Sequence, residues 1–333
     1  MKLGCSYFGN RIPKHVRADM QELADMGCTY VVHTFNENDW AFYHDTMAEI
    51  VQITHEAGME AHIDPWGVGK VFGGESFSNF VMQNVDAMQM VSDGKPTGSA
   101  CPNHPAFRKF MREWTEAAVK TGADVLFWDE PHFYLPGWMG GRPNTWGCRC
   151  AVCSEKFEEQ FGTPLPLEET ADVRAFKERS ITEFLGELVA HGHQLGKRNC
   201  LCVLPLRDES HSTANWERLA SIPHLDIFGT DPYWYIFKKE MEPFVGDACD
   251  LIQQVTAQHG LTSQMWLQGY KVPGGREEEM VDAVKLMVER GIRDIAVWGF
   301  LSCGHMSYIA PDDREKAWAT VKRAFAWARN NAG

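Results

Sequence analysis

The sequence predicts a (β/α)8 barrel, and three observations carry that reading. Apolar runs of strand length recur eight times along the 333 residues. Segments with helical apolar spacing, or long loops, separate them. The length fits one barrel with insertions, and no low-complexity linker divides the chain, so residues 1–333 are expected to form a single domain.

The elements follow in order. The first strand is expected near Lys2–Phe8. Val16, Met20, Leu23 and Ala24 share one face of a helix over about Lys14–Met26, which Gly27 ends. Thr29–Phe35 reads as the second strand. A helix near Tyr43–Ala57, ended by Gly58, leads to the third at Glu60–Trp66. The helix Pro105–Lys120 precedes the fourth strand, Asp124–Asp129, and a helix from about Val173 to Leu195 precedes the fifth, Cys200–Leu206. Leu225–Thr230, Ser263–Gln268 and Asp294–Phe300 supply strands six to eight, and a helix from Asp313 to about Asn330 closes the chain. Two long stretches, 67–100 and 134–166, lack a regular pattern. Both follow strands, which places them on the face where barrels carry their chemistry.

Composition narrows the function. Apolar residues make up 44% of the chain, enough for a real core. A formal net charge of −13 disfavours nucleic acid and anionic membrane surfaces, since both need a basic face. No apolar run approaches the roughly 18 residues of a membrane span. The N-terminus reads as a strand rather than as the apolar core of a signal peptide. Ten cysteines without such a leader argue for a reducing, cytoplasmic setting and for metal binding over disulfides.

Polar groups gather at the predicted C-terminal strand ends. They include Asn10; His33, Asn36 and Glu37; Asp64; Asp129, Glu130 and His132; Arg207 and Asp208; Asp231; Gln268 and Lys271; and Ser302 and His305. Twelve tryptophans and 19 phenylalanines accompany them. Trp66, Trp128, Phe133, Tyr233, Trp234, Tyr270, Trp298 and Phe300 fall at strand ends or just beyond. Singly each is an ordinary core residue; several at one end of a sheet make a platform for sugar rings. The run Ala123–Trp128 ends at Asp129-Glu130-Pro131-His132, the pattern of an active-site strand.

Cys148, Cys150 and Cys153 form C-x-C-x-x-C in a Gly/Arg-rich loop, a spacing suited to a tetrahedral thiolate site with structural zinc. Spacing alone leaves the fourth ligand open between Cys101, Cys5 and others. The remaining cysteines read as buried thiols.

The segment from Cys101-Pro102-Asn103-His104-Pro105 through Trp128-Asp129-Glu130 to Cys148-Arg149-Cys150-Ala151-Val152-Cys153 resembles glycoside hydrolase family 42. That family comprises β-galactosidases on a (β/α)8 barrel of the large retaining clan. The resemblance covers about 60 residues. It implies zinc on Cys101, Cys148, Cys150 and Cys153, and Glu130 as general acid/base. Members of the family often assemble as trimers, so a homo-oligomer is an expectation. Two positions depart from the pattern. Asp129 stands where the clan has an Asn that contacts the sugar, and its charge beside Glu130 should raise one of the two pKa values. Gln268 stands where the clan has its nucleophilic Glu, and the chain lacks the family's further domains.

Glycoside hydrolysis needs two carboxyl groups. Glu130 reads as the acid, with Asp231, in Thr230-Asp231-Pro232, or Asp64, in Ile63-Asp64-Pro65, as its partner. A separation of about 6.5–9.5 Å from Glu130 would make the reaction inverting. The sugar contacts expected are Asp129, His33, His132, Trp66, Tyr233, Trp234, Gln268, Tyr270, Lys271, Trp298 and Arg207. The alternatives are a non-hydrolytic carbohydrate-binding barrel, and a sugar lyase or isomerase with Lys271 or His132 as base.

Overall fold

The computed structural model describes residues 1–137, 141–207 and 211–331. Within them, eight parallel strands close a barrel. They are β1 (Lys2–Tyr7), β2 (Tyr30–Thr34), β3 (Glu60–Asp64), β6 (Val125–Asp129), β7 (Arg198–Val203), β8 (Ile227–Thr230), β9 (Thr262–Gln268) and β10 (Asp294–Trp298). Each strand pairs with the next in that order, and β10 returns to β1 with Lys2 opposite Asp294 and Cys5 opposite Val297. A short antiparallel hairpin, β4 (Met88–Met90) and β5 (Pro96–Ala100), stands apart from the barrel.

The helices α1 (Pro13–Asp25), α2 (Glu37–Glu56), α4 (Pro105–Lys120), α6 (Ala171–Gln194), α8 (Met241–His259), α9 (Glu279–Glu289) and α10 (Arg314–Asn331) clothe the sheet. Short α3 (Asn79–Gln83), α5 (Ala151–Phe161) and α7 (Trp216–Ala220) lie in the connections. No described helix is long and apolar enough to cross a membrane. The helix expected from Tyr43 begins at Glu37 instead. The Asn36 side chain accepts from the Asp39 amide at 2.9 Å, and the Asp39 carboxylate accepts from the Asn36 amide at 3.2 Å. This reciprocal cap sets the start of α2, and the chain kinks at Tyr43.

Strand alternation sorts the core into two layers. Along β6, Val125 and Phe127 point into the barrel, whereas Leu126 and Trp128 pack under the helices. Tyr30 fills the barrel because β1 offers no side chain at Gly4; a Cβ there would lie 2.2 Å from the Tyr30 ring. The Tyr30 hydroxyl donates to Asp294 Oδ1 at 2.6 Å and accepts from Gln264 Nε2 at 2.9 Å. Gln264 Oε1 in turn accepts from Trp266 Nε1 at 2.9 Å. This chain of bonds links Asp294, Tyr30, Gln264 and Trp266 across the apolar interior, although Asp294 Oδ2 has no hydrogen-bond partner among the described residues.

The two long stretches are partly ordered by each other. The first carries α3 and the hairpin, and the second carries α5. Val91 bridges to Gly147, the Ser92 amide donates to the Trp146 carbonyl at 2.8 Å, and the Arg149 amide donates to the Met90 carbonyl at 2.6 Å. Arg142 pairs with Asp93 at 2.6 Å, and the Tyr134 amide donates to Gln89 Oε1 at 2.9 Å. Neither stretch has enough alternation to announce this pairing in sequence.

Burial pushes the Asp294 carboxyl up from an ordinary 3.8 to about 6, although the Tyr30 hydrogen bond pulls the other way. The folded protein therefore holds this proton more tightly than the unfolded chain, so stability falls as pH rises from about 3.8 to about 6 and stays lowered above that. Asp294→Asn keeps an acceptor for Tyr30 and removes the charge. Thermal melts should show it more stable than the parent at pH 7.5 by on the order of 2–3 kcal/mol, with the gap closing by about pH 3.5. An equal gap at both pH values would contradict the linkage.

Candidate active site

The end of β6 carries two adjacent carboxyls, Asp129 and Glu130. In a regular strand Asp129 and Glu130 would face opposite sides. Here Asp129 faces inward in phase with Phe127, and the chain then turns at Glu130, whose φ is +36°. That left-handed backbone is costly for a residue with a Cβ. Its effect is to bring both carboxyls to one cavity. The turn is held by the Glu130 amide, which donates to the Cys202 carbonyl at 2.9 Å, and by the Gly73 amide, which donates to the Asp129 carbonyl at 3.0 Å. Gly73 is required there: a Cβ would lie 2.6 Å from Asp129 Oδ2 and 2.8 Å from Glu130 Oε2.

The cavity measures about 90 Å3 and opens at the C-terminal end of the barrel. Asp129, Glu130, Asp231 and Glu75 line it together with Tyr233, Phe237, Trp266, Tyr270 and Trp298. Tyr233 and Tyr270 meet edge to face at 5.2 Å. Acids and aromatic faces thus converge from β6, β8, β9, β10 and the segment after β3.

Burial is the leading cause that raises the carboxyl pKa values. It holds Asp129 well above the ordinary range, with repulsion from Glu130 and Glu75 adding to it. Glu75 is raised in the same way. Asp231 is raised by burial and then by the Glu130 charge beside it. Glu130 itself is raised by burial. Asp64 is fully buried behind this group, with neither oxygen hydrogen-bonded, and is raised by burial and then by Asp129. Carboxyls so close do not all ionise at neutral pH.

Other expected residues lie elsewhere. Asp64 does not line the cavity. His33 points out of the barrel into the helix layer, where Nε2 meets Thr54 Oγ1 at 2.8 Å and the ring packs edge-on against Tyr7. Burial pushes its pKa down to about 3, so it is a neutral core histidine. Trp234 is likewise turned outward, donating to Glu279 Oε2 at 3.0 Å, because it follows the inward Tyr233. Arg207 donates to the Ala214 carbonyl on a separate surface. Lys271 sits 4.1 Å from the Tyr308 ring centroid. Trp66 stacks on Phe8 at 5.4 Å and lines a neighbouring groove with Asn10, Arg11 and Asn36. Asp208 is outside the described residues.

Gln268 is fully buried and serves the backbone. Its Oε1 accepts from the Tyr235 amide and its Nε2 donates to the Tyr270 carbonyl, both at 3.0 Å. It shapes the loops that carry two of the aromatics rather than meeting a ligand. Glu37 also binds backbone: it accepts from the Gly69 and Phe80 amides, and from the Ser78 hydroxyl.

Sequence reasoning missed Glu75, Phe237 and Trp266. Trp266 was signalled by its inward phase on β9. Glu75 follows Gly73-Gly74, and an acid beside paired glycines in a long barrel loop was the available clue. Phe237 had none.

The four cysteines converge. Their Sγ atoms all lie within 4.8 Å of one another, with Cys101 3.4 Å from Cys153 and 3.7 Å from Cys150. A tetrahedron with metal–sulfur bonds of about 2.3 Å has edges of about 3.8 Å, so the donor set fits a thiophilic ion. Asn103 Nδ2 donates to Cys153 Sγ and the Cys150 amide to Cys148 Sγ, both at 3.4 Å, as befits thiolate ligands. Cys101 follows the hairpin and the other three begin α5, so the cluster joins both insertions.

Neither a protein-family model nor a curated protein matches the chain. Solved structures do. The catalytic domain of the β-amylase from Paenibacillus polymyxa matches with a TM-score of 0.67 at 11% identity, over 97% of each chain. The endo-1,4-β-mannanase from Rhizomucor miehei matches with a TM-score of 0.64 at 10% identity, over 98% of this chain and 95% of that one. A D-psicose 3-epimerase matches with a TM-score of 0.50 at 12% identity, over all of both chains. At these identities the likeness shows the barrel fold.

Gln268→Glu, which restores a carboxylate at that strand end, replaces the donor to the Tyr270 carbonyl with an acceptor. Urea unfolding at pH 7 should show it about 1–3 kcal/mol less stable than the parent. Unchanged stability would mean that the amide is not held as described.

Proposed function

We propose that this protein is a carbohydrate-active enzyme of glycoside hydrolase type, with Glu130 as the general acid. The observation that carries the reading is the turn at Glu130, whose strained backbone brings a second carboxyl beside Asp129 in an aromatic cavity. Burial raises the Glu130 carboxyl, the direction that an acid donating to a leaving oxygen requires, while the Asp231 carboxyl beside it pulls the other way. The family 42 motif around Asp129-Glu130 supports the same role.

The second carboxyl is drawn from Asp231 and Glu75. Asp231 lines the cavity beside Glu130, and its pKa is raised by burial and then by the Glu130 charge, which suits a pair that shares a proton better than one spaced by water at about 6.5–9.5 Å. Glu75 enters the cavity from the segment after β3, and we assign it the activation of water. Asp64, sealed behind them, sets the local charge. Tyr233, Tyr270, Trp266 and Trp298 hold the sugar ring by its apolar face. A zinc ion on Cys101, Cys148, Cys150 and Cys153 is structural, because four protein thiolates leave no open position.

A second reading has its own support. A neighbouring carboxyl pair also suits removal and return of a proton on one face of a sugar, as in an isomerase or lyase. Lys271 and His132, the bases that the sequence suggests for it, do not line the cavity. Incubating α- and β-glycosides in D2O under NMR separates the two. Glycosidase activity gives new anomeric signals without deuterium on carbon; isomerisation gives deuterium on carbon without cleavage, and elimination gives cleavage with a new alkene signal. Either activity should fall at least 100-fold in Glu130→Gln. Full activity in that variant would remove Glu130 from the chemistry.

Elemental analysis should find one zinc per chain in protein purified without chelators. Cys148→Ser should lose that zinc and melt earlier. Zinc-free protein with an unchanged melt on zinc addition would refute the assignment.

A further inference from the structure

Lys70, on the segment after β3, is a half-buried cation with no carboxylate paired to it among the described residues. Its ammonium donates to the Gly74 and Ser76 carbonyls at 2.8 and 3.1 Å, leaving a third N–H. Glu75, the acid whose charge reaches it, lines the acid pocket, which Lys70 does not. Removing a charge from water without a counter-ion is costly, so such a group favours an anion.

Lys70 lines a cavity of about 250 Å3, far above the about 10–15 Å3 that one water needs. Arg142 lines it too. The Arg142 guanidinium donates to Asp93 from Nε at 2.6 Å and from Nη2 at 3.0 Å, and lies 5.9 Å from the Tyr134 ring centroid. These contacts fix its plane and leave Nη1 without a partner among the described residues. Asp93 offsets the charge of Arg142, so the charge of Lys70 stands unbalanced. Thr97 and Ser99 of the hairpin bring two hydroxyls to the same lining.

His132 supplies an acceptor. Its Nδ1 lies 2.6 Å from the Glu130 carbonyl oxygen. A carbonyl only accepts, so Nδ1 carries the proton and the neutral ring offers Nε2. Burial pushes the His132 pKa down to about 4, which keeps the ring neutral at pH 7.

This mixture selects among ligands. A neutral molecule leaves the charge of Lys70 unmatched. Sulfate answers the cations but has no proton for His132 at neutral pH. Inorganic phosphate offers several oxygens to the cations and still carries a proton. On a phosphate monoester, a neighbouring hydroxyl takes that proton's place. We propose that this cavity binds a phosphate group, held by Lys70 and Arg142, with His132 accepting a hydrogen bond from it or from an adjacent hydroxyl. The inference stands on these residues and does not depend on the chemistry of the acid pocket.

Calorimetry on the full chain at pH 7.5, in a buffer free of phosphate and sulfate, tests the idea with inorganic phosphate, glucose 6-phosphate and sulfate. Inorganic phosphate should bind with a Kd of about 1 mM or below, and about 10-fold or more tighter than sulfate. Tighter binding of glucose 6-phosphate marks a monoester as the ligand; equal or weaker binding marks the free ion. Lys70→Met should weaken phosphate binding by about 10-fold or more. Ser99→Glu leaves the bonds of Lys70 in place and puts a carboxylate into the cavity. It should weaken phosphate binding as much, and it carries the test should Lys70→Met melt early. The site is overturned if neither phosphate binds, if sulfate binds as well as phosphate, or if binding survives both substitutions.

Discussion

Several carboxyls share the mouth of this barrel with no cation from the described residues among them, and the upper half of the molecule is arranged around that fact. An acid paired with an ammonium would be ionised at neutral pH and useless as a proton donor. Two lysines near the mouth are engaged elsewhere. Lys70 is bonded to backbone carbonyls, and Lys271 lies over Tyr308. Burial among the aromatic walls therefore raises the carboxyls together, with Lys70 and Lys271 pulling only on Glu75 among them.

Such a cluster needs a cover with little freedom. Gly73 supplies the close approach, since any side chain there would strike Asp129 and Glu130. The segment around it is anchored from two directions. Glu37, at the start of α2, binds the amides of Gly69 and Phe80. On the far side the hairpin is sewn to the loop after β6 by backbone bonds and by the four thiols. The cover over the acids and the cysteine cluster are parts of one assembly.

The barrel was legible because its evidence is periodic. Strand phase recurs eight times with helical spacing or a long loop between, and each recurrence supports the others. The site was legible where a motif or phase spoke directly, as at Glu130, Asp231, Tyr233, Tyr270 and Trp298. It was not legible where one local event reversed the pattern. Nothing in the residues around Glu130 announces a left-handed turn, yet that turn is what unites it with Asp129. His33 and Trp234 were expected at the site because they lie near strand ends, but their phase sends them outward. Gln268 stands at the position the resemblance marks, and only its two backbone partners show that it holds loops. Glu75 was hidden because a loop acid is usually solvated, and only the fold shows that this one is turned inward.

The cysteine cluster has one more consequence, in terms of chain entropy. Cys101 and Cys153 are 52 positions apart, and the span between them contains α4, β6, Asp129 and Glu130. An ion held by these thiols ties the ends of the very loop that carries the acid. In the unfolded chain such a tie removes conformations that would otherwise compete with folding, and the gain grows only slowly with loop length. A metal on these thiols would therefore favour the strand that carries Glu130 without touching it: it would narrow what that stretch of chain can do before the barrel closes.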